Sequence, residues 1–178
     1  MTAPLPAPDQ LGGPVTVADY DPAWPARFAS LAARIRVALA EAAVELHHAG
    51  STSVPGLAAK PVIDIVLVVA DSADEASYVP GLEAAGWTLR VREPDWFEHR
   101  CLKTVDPASN LHVFTAGCDE VGRMLAFRDH LRADAADRRL YEETKRTLAA
   151  ERWAVMQDYA DAKSEVVAVI MQRALERR

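Results

Sequence analysis

Asp64 is the residue whose type and surroundings most clearly indicate chemistry, because it interrupts an otherwise apolar run over residues 62–69. A buried carboxylate without a partner is costly, so such an Asp must lie at a strand end, be hydrogen-bonded or paired, or bind a metal ion. A hydrogen bond to the backbone of the preceding loop would be a purely structural role. We favour a metal ligand or a catalytic carboxylate, because a loop of small residues precedes this strand closely.

That loop is the second feature with chemical potential. Gly50 permits a close backbone approach, and the residues after it are Ser51, Thr52 and Ser53. Their hydroxyl groups lie beside successive backbone amides, an arrangement that suits phosphate oxygens. Because Asp64 follows within a hydrophobic strand, the loop predicts a site that binds phosphate or a phosphorylated substrate.

Two further residues are candidate partners of Asp64 at a metal ion. His112 and Glu98 lie on predicted strands that could neighbour it. A neutral imidazole suits Zn²⁺ or Mn²⁺ better than Mg²⁺, and it could equally act as a general base for an acceptor hydroxyl. The alternatives are a core or strand-edge role for His112, and a simple ion pair between Glu98 and Arg100 on one strand face.

The candidate phosphate-binding cations are Lys60, Arg100, Lys103 and Lys163. The first three could equally be solvated surface charges. Lys163 follows Tyr159 on a predicted helix and sits within a stripe of apolar residues at helical spacing. Its stem could snorkel to water, or its ammonium group could meet an anion or carboxylate in a cleft; both readings stay open.

The elements that must position these residues are read from hydrophobic periodicity and turn residues. We predict a long helix with Asp21 as its N-cap and Pro22 at the first helical position, whose apolar residues recur at helical spacing from Trp24 to Ala42. A second helix covers 74–85 and ends at Gly86. The predicted strands cover 15–20, 44–48, 62–69, 87–91, 97–104 and 111–115, with a turn at 106–110 between the last two. From residue 119 onward the chain is helical, in segments 121–133, 137–150 and 153–174.

Bulk properties restrict the class of protein and of partner. The 178 residues carry a net charge of −6, with a pI of about 5.4, and the basic residues alternate with acidic ones. These values favour a small-molecule or nucleotide ligand over general nucleic-acid binding. The two cysteines have no metal-ligand spacing, and no apolar run is long enough to cross a membrane. We expect a cytoplasmic protein with a disordered leader over 1–14 and one domain over 15–178; the sequence does not indicate an oligomeric state.

The run over residues 48–65 resembles the signature of the GrpB family, whose members resemble the nucleotidyltransferase superfamily in fold. The resemblance continues in the segments 20–25, 111–114, 127–132 and 159–163 and so covers nearly the whole chain beyond residue 14. It implies an α+β fold, with a nucleotidyltransferase-like mixed β-sheet flanked by helices and a helical C-terminal half. It also implies that Gly50 and Ser51 bind nucleotide phosphate.

The superfamily pattern further implies two carboxylates at positions n and n+2 of the strand, holding Mg²⁺ or Mn²⁺. An acceptor hydroxyl then attacks the α-phosphate of a nucleoside triphosphate donor. Here Asp64 fills the first position, but Val66 occupies the second and cannot bind a metal ion. Two hypotheses follow: a metal-dependent nucleotidyl or phosphoryl transferase acting on a small molecule, and a catalytically degenerate protein that binds nucleotides or phosphorylated metabolites.

Overall fold

The computed structural model describes residues 15–40, 45–153 and 156–176. The predicted leader over 1–14 lies outside these residues, as do Ala42 and Val44 at the edges of two predicted elements. The strands are β1 Glu45–Ala49, β2 Ile63–Val69, β3 Thr88–Glu93, β4 His99–Val105 and β5 Ala108–Thr115, and the helices are α1 Trp24–Leu39, α2 Val79–Ala84, α3 Asp119–Ala133, α4 Ala135–Ala149, α5 Met156–Asp161 and α6 Ser164–Glu176.

The strands form one sheet in the order β1-β2-β5-β4-β3. β2 and β5 are parallel, and the other neighbours are antiparallel. The fold is therefore α+β with a mixed sheet flanked by helices and a helical C-terminal half, as predicted. Strand β2 is buried on both faces, as its apolar composition predicts.

One face of the sheet carries the main core, which α1 and α2 cover. Ile65 and Leu67 of β2 point into it, together with Leu111 of β5. The start of α1 differs from the prediction. The Asp21 carboxylate accepts a hydrogen bond from Ala23 N at 2.8 Å, so residues 21–23 form a turn and the helix begins at Trp24. The proline in its first turn is consequently Pro25, where the missing N–H costs nothing.

The opposite face carries the helical half. α3 packs over β1 and β2, where Val66, Val68 and Phe114 form a cluster with Val121 and Met124. Helices α4 and α6 contact α3 in turn. Among the described residues, no helix combines the length and apolarity needed to span a bilayer.

Several predicted boundaries are wrong. Residues 15–20 form only an isolated bridge, from Ala18 to Ala59. The predicted helix over 74–85 is a 3₁₀ turn followed by α2, because the Tyr78 hydroxyl donates to Ser72 O at 2.7 Å and turns the chain between them. The predicted helix over 153–174 is split into α5 and α6, and Lys163 lies in the turn between them rather than within one continuous stripe.

The β4–β5 connection is tighter than predicted. Only Asp106 and Pro107 lie between the strands, and β5 already begins at Ala108. Ser109 and Thr104 interact across the hairpin through their hydroxyl groups at 3.2 Å, which extends the ladder to this end. Asn110, assigned to the turn by its composition, is therefore a residue of the sheet.

Candidate functional site

Asp64 sits on the sheet face that the helical half covers. The parallel register places Asp64 beside Asn110 and places Val66 beside His112. Asn110 Nδ2 donates a hydrogen bond to Asp64 Oδ1 at 2.8 Å. His112 Nε2 lies 3.9 Å from the same oxygen. Because β5 begins earlier than predicted, the side chains of Asn110 and His112 both lie on this strand and reach the Asp64 carboxylate of β2.

The backbone of Gly50 lies against the side chain of Asp64. Gly50 has a φ of +63°, and a Cβ at this position would lie 2.2 Å from Asp64 Oδ2. The 3₁₀ turn Ser51–Ser53 follows immediately. Glycine is required here for two reasons, because the backbone is left-handed and the carboxylate fills the space that a side chain would need.

The electrostatic environment favours the ionised form of Asp64. Burial opposes ionisation, but His112, the hydrogen bond from Asn110 and the charge of Lys163 outweigh it and lower the pKa of the carboxyl below its ordinary value. The side chain keeps 29% of its surface exposed. It is therefore a partly accessible carboxylate that is held ionised, as a metal ligand or an acid–base partner must be.

Two lysines extend from the helical half toward Asp64. Lys163 Nζ lies 4.4 Å from the centroid of the Tyr159 ring, and Lys145 Nζ lies 4.7 Å from that of Tyr141. Burial lowers the pKa of Lys163 and lowers that of Lys145 to about 7, while the charge of Asp64 opposes both shifts. Both ammonium groups are thus partly desolvated beside one carboxylate.

Lys145 was missed by the sequence analysis, although a signal exists. Tyr141 and Lys145 are four residues apart, as are Tyr159 and Lys163. Residues at this spacing on a helix are neighbours, so each pair can bring an ammonium group over an aromatic ring. Burial raises the pKa of Tyr141 to about 12, and interactions with Ser51 and Asp64 modify the shift, which places this tyrosine at the same site.

The remaining lysines border the same region. The charge of Lys60 contributes to the lowered pKa of Lys163. Lys103 is the cross-strand neighbour of Asn110 and therefore lies on the face that carries Asp64. All four lysines of the chain consequently adjoin Asp64 or its immediate partners. The lysines, which are scattered in the sequence, thus border one region of the fold.

Other predicted phosphate ligands in the loop are turned inward. The Thr52 hydroxyl lies 3.0 Å from His48 Nε2, and the residue is only 1% exposed. The Ser53 hydroxyl donates to Gly50 O at 2.6 Å. Both hydroxyl groups stabilise the turn itself, so the structure does not bring them together with Asp64. The part of the predicted phosphate loop that faces the site is reduced to Gly50 and Ser51.

Glu98 and Arg100 are also separated from Asp64. The register places Arg100 opposite Val113, whose side chain belongs to the core on the α1 side of the sheet. There Arg100 Nε donates to Glu75 Oε1 at 2.6 Å, and Glu98 Oε2 lies 3.3 Å from Arg100 Nη2. These contacts agree with the simple ion pair between Glu98 and Arg100 that the sequence left open. The two residues are not part of the site around Asp64.

The two-ion arrangement of the nucleotidyltransferase pattern does not fit these residues. Val66 follows Asp64 on the same face of β2 but is fully buried in the cluster beneath α3. The second carboxylate is missing, and helix packing occupies the space it would need. Among the described residues, His112 supplies the imidazole nitrogen 3.9 Å from the Asp64 carboxylate, and this pair of donors fits at most one divalent ion.

Side chains of the helical half hold the Gly50–Lys60 loop in place. Arg132 Nε and Nη2 donate to Ser53 O at 3.0 and 2.8 Å, and Arg128 Nη1 donates to His48 O at 3.1 Å. Lys145 Nζ donates to Ala58 O at 2.5 Å. Because guanidinium and ammonium groups bind backbone carbonyls here, the helices position the loop as well as covering it.

Known proteins resemble this chain over most of its length. A family model described as GrpB protein matches residues 14–173. A UPF0157 protein of Halalkalibacterium halodurans is 58% identical over 160 residues, covering 90% of this chain and 82% of that protein. A UPF0157 protein of Streptomyces coelicolor is 48% identical over 168 residues, covering 92% and 88%. The crystal structure of conserved protein GrpB from Enterococcus faecalis matches with a TM-score of 0.81 and 29% identity, covering 91% of this chain and 98% of that one.

Proposed function

Because the chain belongs to the GrpB family, we propose that its Asp64 site binds a nucleotide or another phosphorylated small molecule and transfers a nucleotidyl or phosphoryl group to an acceptor hydroxyl. The phosphate would lie between Gly50–Ser51 and the lysines of the helical half. Asp64 and His112 would serve the acceptor side, where His112 Nε2 can accept the hydroxyl proton.

The observation that carries the proposal is the pair of largely buried lysines, Lys145 and Lys163, whose charges interact with that of Asp64 in a chain of net charge −6. Desolvation of Lys145 and Lys163 costs free energy, which a bound anion would recover by stabilising their charged forms. A site of this kind attracts phosphate although the protein as a whole is acidic.

A single divalent ion would be held by Asp64, with His112 Nε2 either as a second ligand, for Mn²⁺, or as the base beside an Asp64-bound Mg²⁺. When bound, it would neutralise charge on the phosphate and orient its oxygens. The chain's own residues carry the rest of the proposal. Lys163 and Lys145 bind the phosphate charge, and Ser51 donates a hydrogen bond to it. Gly50 lets the backbone approach without displacing Asp64.

A thermal-shift screen tests the binding step. We would use the four ribonucleoside triphosphates and pyrophosphate, each with Mg²⁺, with Mn²⁺ or with EDTA. A ligand at about 100 times its Kd stabilises by about 2.7 kcal/mol, which raises Tm by several degrees in a protein of this size. We expect that rise in the wild type and in Asp95→Asn, an exposed control, and its loss in Lys163→Met. No rise with any of these compounds would contradict the proposal.

Asp64→Asn separates the two uses of the carboxylate. If Asp64 holds an ion that contacts the ligand, binding in Mg²⁺ or Mn²⁺ weakens in the variant. If it only repels the ligand's charge, binding in EDTA strengthens, because the variant keeps the lysines and removes the negative charge beside them.

Turnover distinguishes the transferase from the degenerate binding protein, an alternative that the buried Val66 supports. The measurement is the release of the leaving group from the bound nucleotide across a panel of hydroxyl acceptors: pyrophosphate for nucleotidyl transfer, or the nucleoside diphosphate for phosphoryl transfer. We expect release in the wild type and its loss in His112→Gln with ligand binding retained. Binding without release for every acceptor would favour the alternative.

A further inference from the structure

Behind His112 lies a continuous chain of polar contacts that leads away from Asp64. His112 Nδ1 is 3.1 Å from His99 Nε2, and His99 Nδ1 is 2.7 Å from Glu93 Oε2. Glu93 and His99 are neighbours in the β3–β4 register. With Asp64 at the far end, the four side chains cross four adjacent strands of the sheet on one face, one from each of β2, β5, β4 and β3.

The donor and acceptor roles along this series of hydrogen bonds follow from Glu93, at its exposed end. Glu93 is half exposed and offers only acceptor oxygens as a carboxylate. At 2.7 Å, His99 Nδ1 must donate its proton to it, since a lone pair there would face another lone pair. The His99 ring is buried between Phe114 and Trp96, where a second proton would place a poorly solvated charge, so the ring carries one proton and its Nε2 is an acceptor. His112 Nδ1 must then be the donor of the next bond.

The packing around His99 holds this geometry. The ring stacks on Phe114 with centroids 4.8 Å apart, and the edge of Trp96 closes it at 5.2 Å. His99 is only 6% exposed in its side chain. Its two nitrogens therefore stay aligned between Glu93 and His112.

We propose that Glu93 and His99 are positioning residues of the Asp64 site, which keep the proton of neutral His112 on Nδ1 and so turn the Nε2 lone pair toward Asp64. The inference deepens the proposed function and rests on His112 serving that site. A lone pair on Nε2 is what a general base or a metal ligand needs. Without this series of hydrogen bonds from Glu93 through His99 to His112, which we call the relay, Nε2 would carry the proton and donate it to the Asp64 carboxylate.

The direct test is a long-range ¹H–¹⁵N correlation spectrum of uniformly ¹⁵N-labelled protein at neutral pH, without added metal. The chain has only five histidines, so each ring can be assigned by substitution. We expect His112 to show a protonated Nδ1 and an unprotonated Nε2. A neutral ring protonated on Nε2, or a ring protonated on both nitrogens, would overturn the proposal.

His99→Phe removes the acceptor while keeping a ring between Phe114 and Trp96. We expect the His112 proton to move to Nε2 in this variant, and a partial move in Glu93→Ala, which keeps the whole His99 ring. The matched control is His47→Phe, which breaks the exposed His47–Glu45 pair at 2.7 Å on the same sheet. Unchanged His112 signals in both His99→Phe and Glu93→Ala would contradict the relay.

Calorimetric titration with Mn²⁺ supplies a second readout. Loss of an outer partner of a ligating histidine weakens metal binding by about 10- to 100-fold, and we expect a loss of that size in His99→Phe but not in His47→Phe. If the wild type shows the Nδ1 proton yet binds neither Mn²⁺ nor nucleotide, the relay stands and the proposed function fails. The two claims are therefore separable.

Discussion

Gly50 sets how closely the phosphate loop approaches the carboxylate of the site. The space beside its Cα is filled by Asp64, whose Oδ2 would meet any added Cβ at 2.2 Å. Serine or alanine here would push the carboxylate away from Asn110 and His112. A glycine before serine is weak information alone, but its contact with Asp64 explains why the two occur together.

Gly50→Ala tests this close approach, with Gly56→Ala as its control. Both glycines have positive φ, +63° and +77°, but nothing lies within 4 Å of a Cβ at Gly56. A left-handed alanine costs about 1–2 kcal/mol, so Gly56→Ala should lower the free energy of unfolding by that amount. Gly50→Ala should cost at least about 1 kcal/mol more, because the Asp64 carboxylate must also move. Urea unfolding measures both, and equal losses would contradict the contact.

At the residue scale, sequence reasoning works where a residue conflicts with its surroundings. Asp64 is conspicuous in an apolar strand, and Lys163 is conspicuous beside apolar neighbours. Asn110 and Lys145 are not conspicuous. Asn110 lies in a segment with the composition of a turn, and Lys145 lies in a helix rich in charged residues. Only the pairing of strands and helices makes them neighbours of Asp64.

Helix α4 is the element that joins the helical half to the loop of the site. Ala58 is held at both backbone groups, because its amide donates to Glu142 Oε2 at 3.3 Å and its carbonyl accepts from Lys145 Nζ. Lys145 is 3% exposed, so α4 places a nearly buried ammonium group at this junction. The junction therefore responds to pH.

Lys145→Met should change how stability depends on pH. The pKa of Lys145 falls from 10.5 to about 7 in the folded protein, mainly through burial. Between these values the unfolded chain binds the proton that the folded chain has lost, so Lys145 makes the protein more stable as pH rises and less stable as pH falls toward 7. Relative to Lys145→Met, the wild type should gain about 2 kcal/mol between about pH 7 and pH 9.

The measurement is urea unfolding of both proteins at several pH values, with Arg139→Met, an exposed position on the same helix, as the control. The control should follow the wild type throughout. A constant difference between the wild type and Lys145→Met across this range would show that the ammonium group is not desolvated at the junction.

At the element scale, periodicity predicts the strongly patterned elements and fails at short connections. Strand β2, the extent of α3 and the helical character of the C-terminal half follow from apolar spacing. The two-residue β4–β5 connection does not follow from apolar spacing. Ser109 and Asn110 are typical turn formers, but cross-strand bonds make them part of β5. The break before α6 is also missed, because Ala162 and Lys163 are residues that fit a helix.

For the whole molecule, the distribution of charge is the most informative property. The net charge of −6 predicts weak attraction for nucleic acid, yet it hides a local concentration of lysines. Arginine serves structural pairs such as those of Arg92 and Arg100 with Glu75, and lysine is confined to the surroundings of Asp64. Lysine shifts its pKa readily when buried and meets phosphate as a compact charge.

The four lysines also allow the most direct test of the central claim, which is that a phosphate-binding site lies at Asp64. Protein labelled with ¹³C at lysine Cε should give four side-chain signals, one for each of Lys60, Lys103, Lys145 and Lys163, assigned by single Lys→Met variants. Titration with a nucleoside triphosphate and with pyrophosphate, each with and without Mg²⁺, follows all four at once. We predict saturable shifts that are largest at Lys145 and Lys163 and that report one ligand per chain. Four signals that stay unmoved up to millimolar concentrations of both ligands would contradict a phosphate site at Asp64.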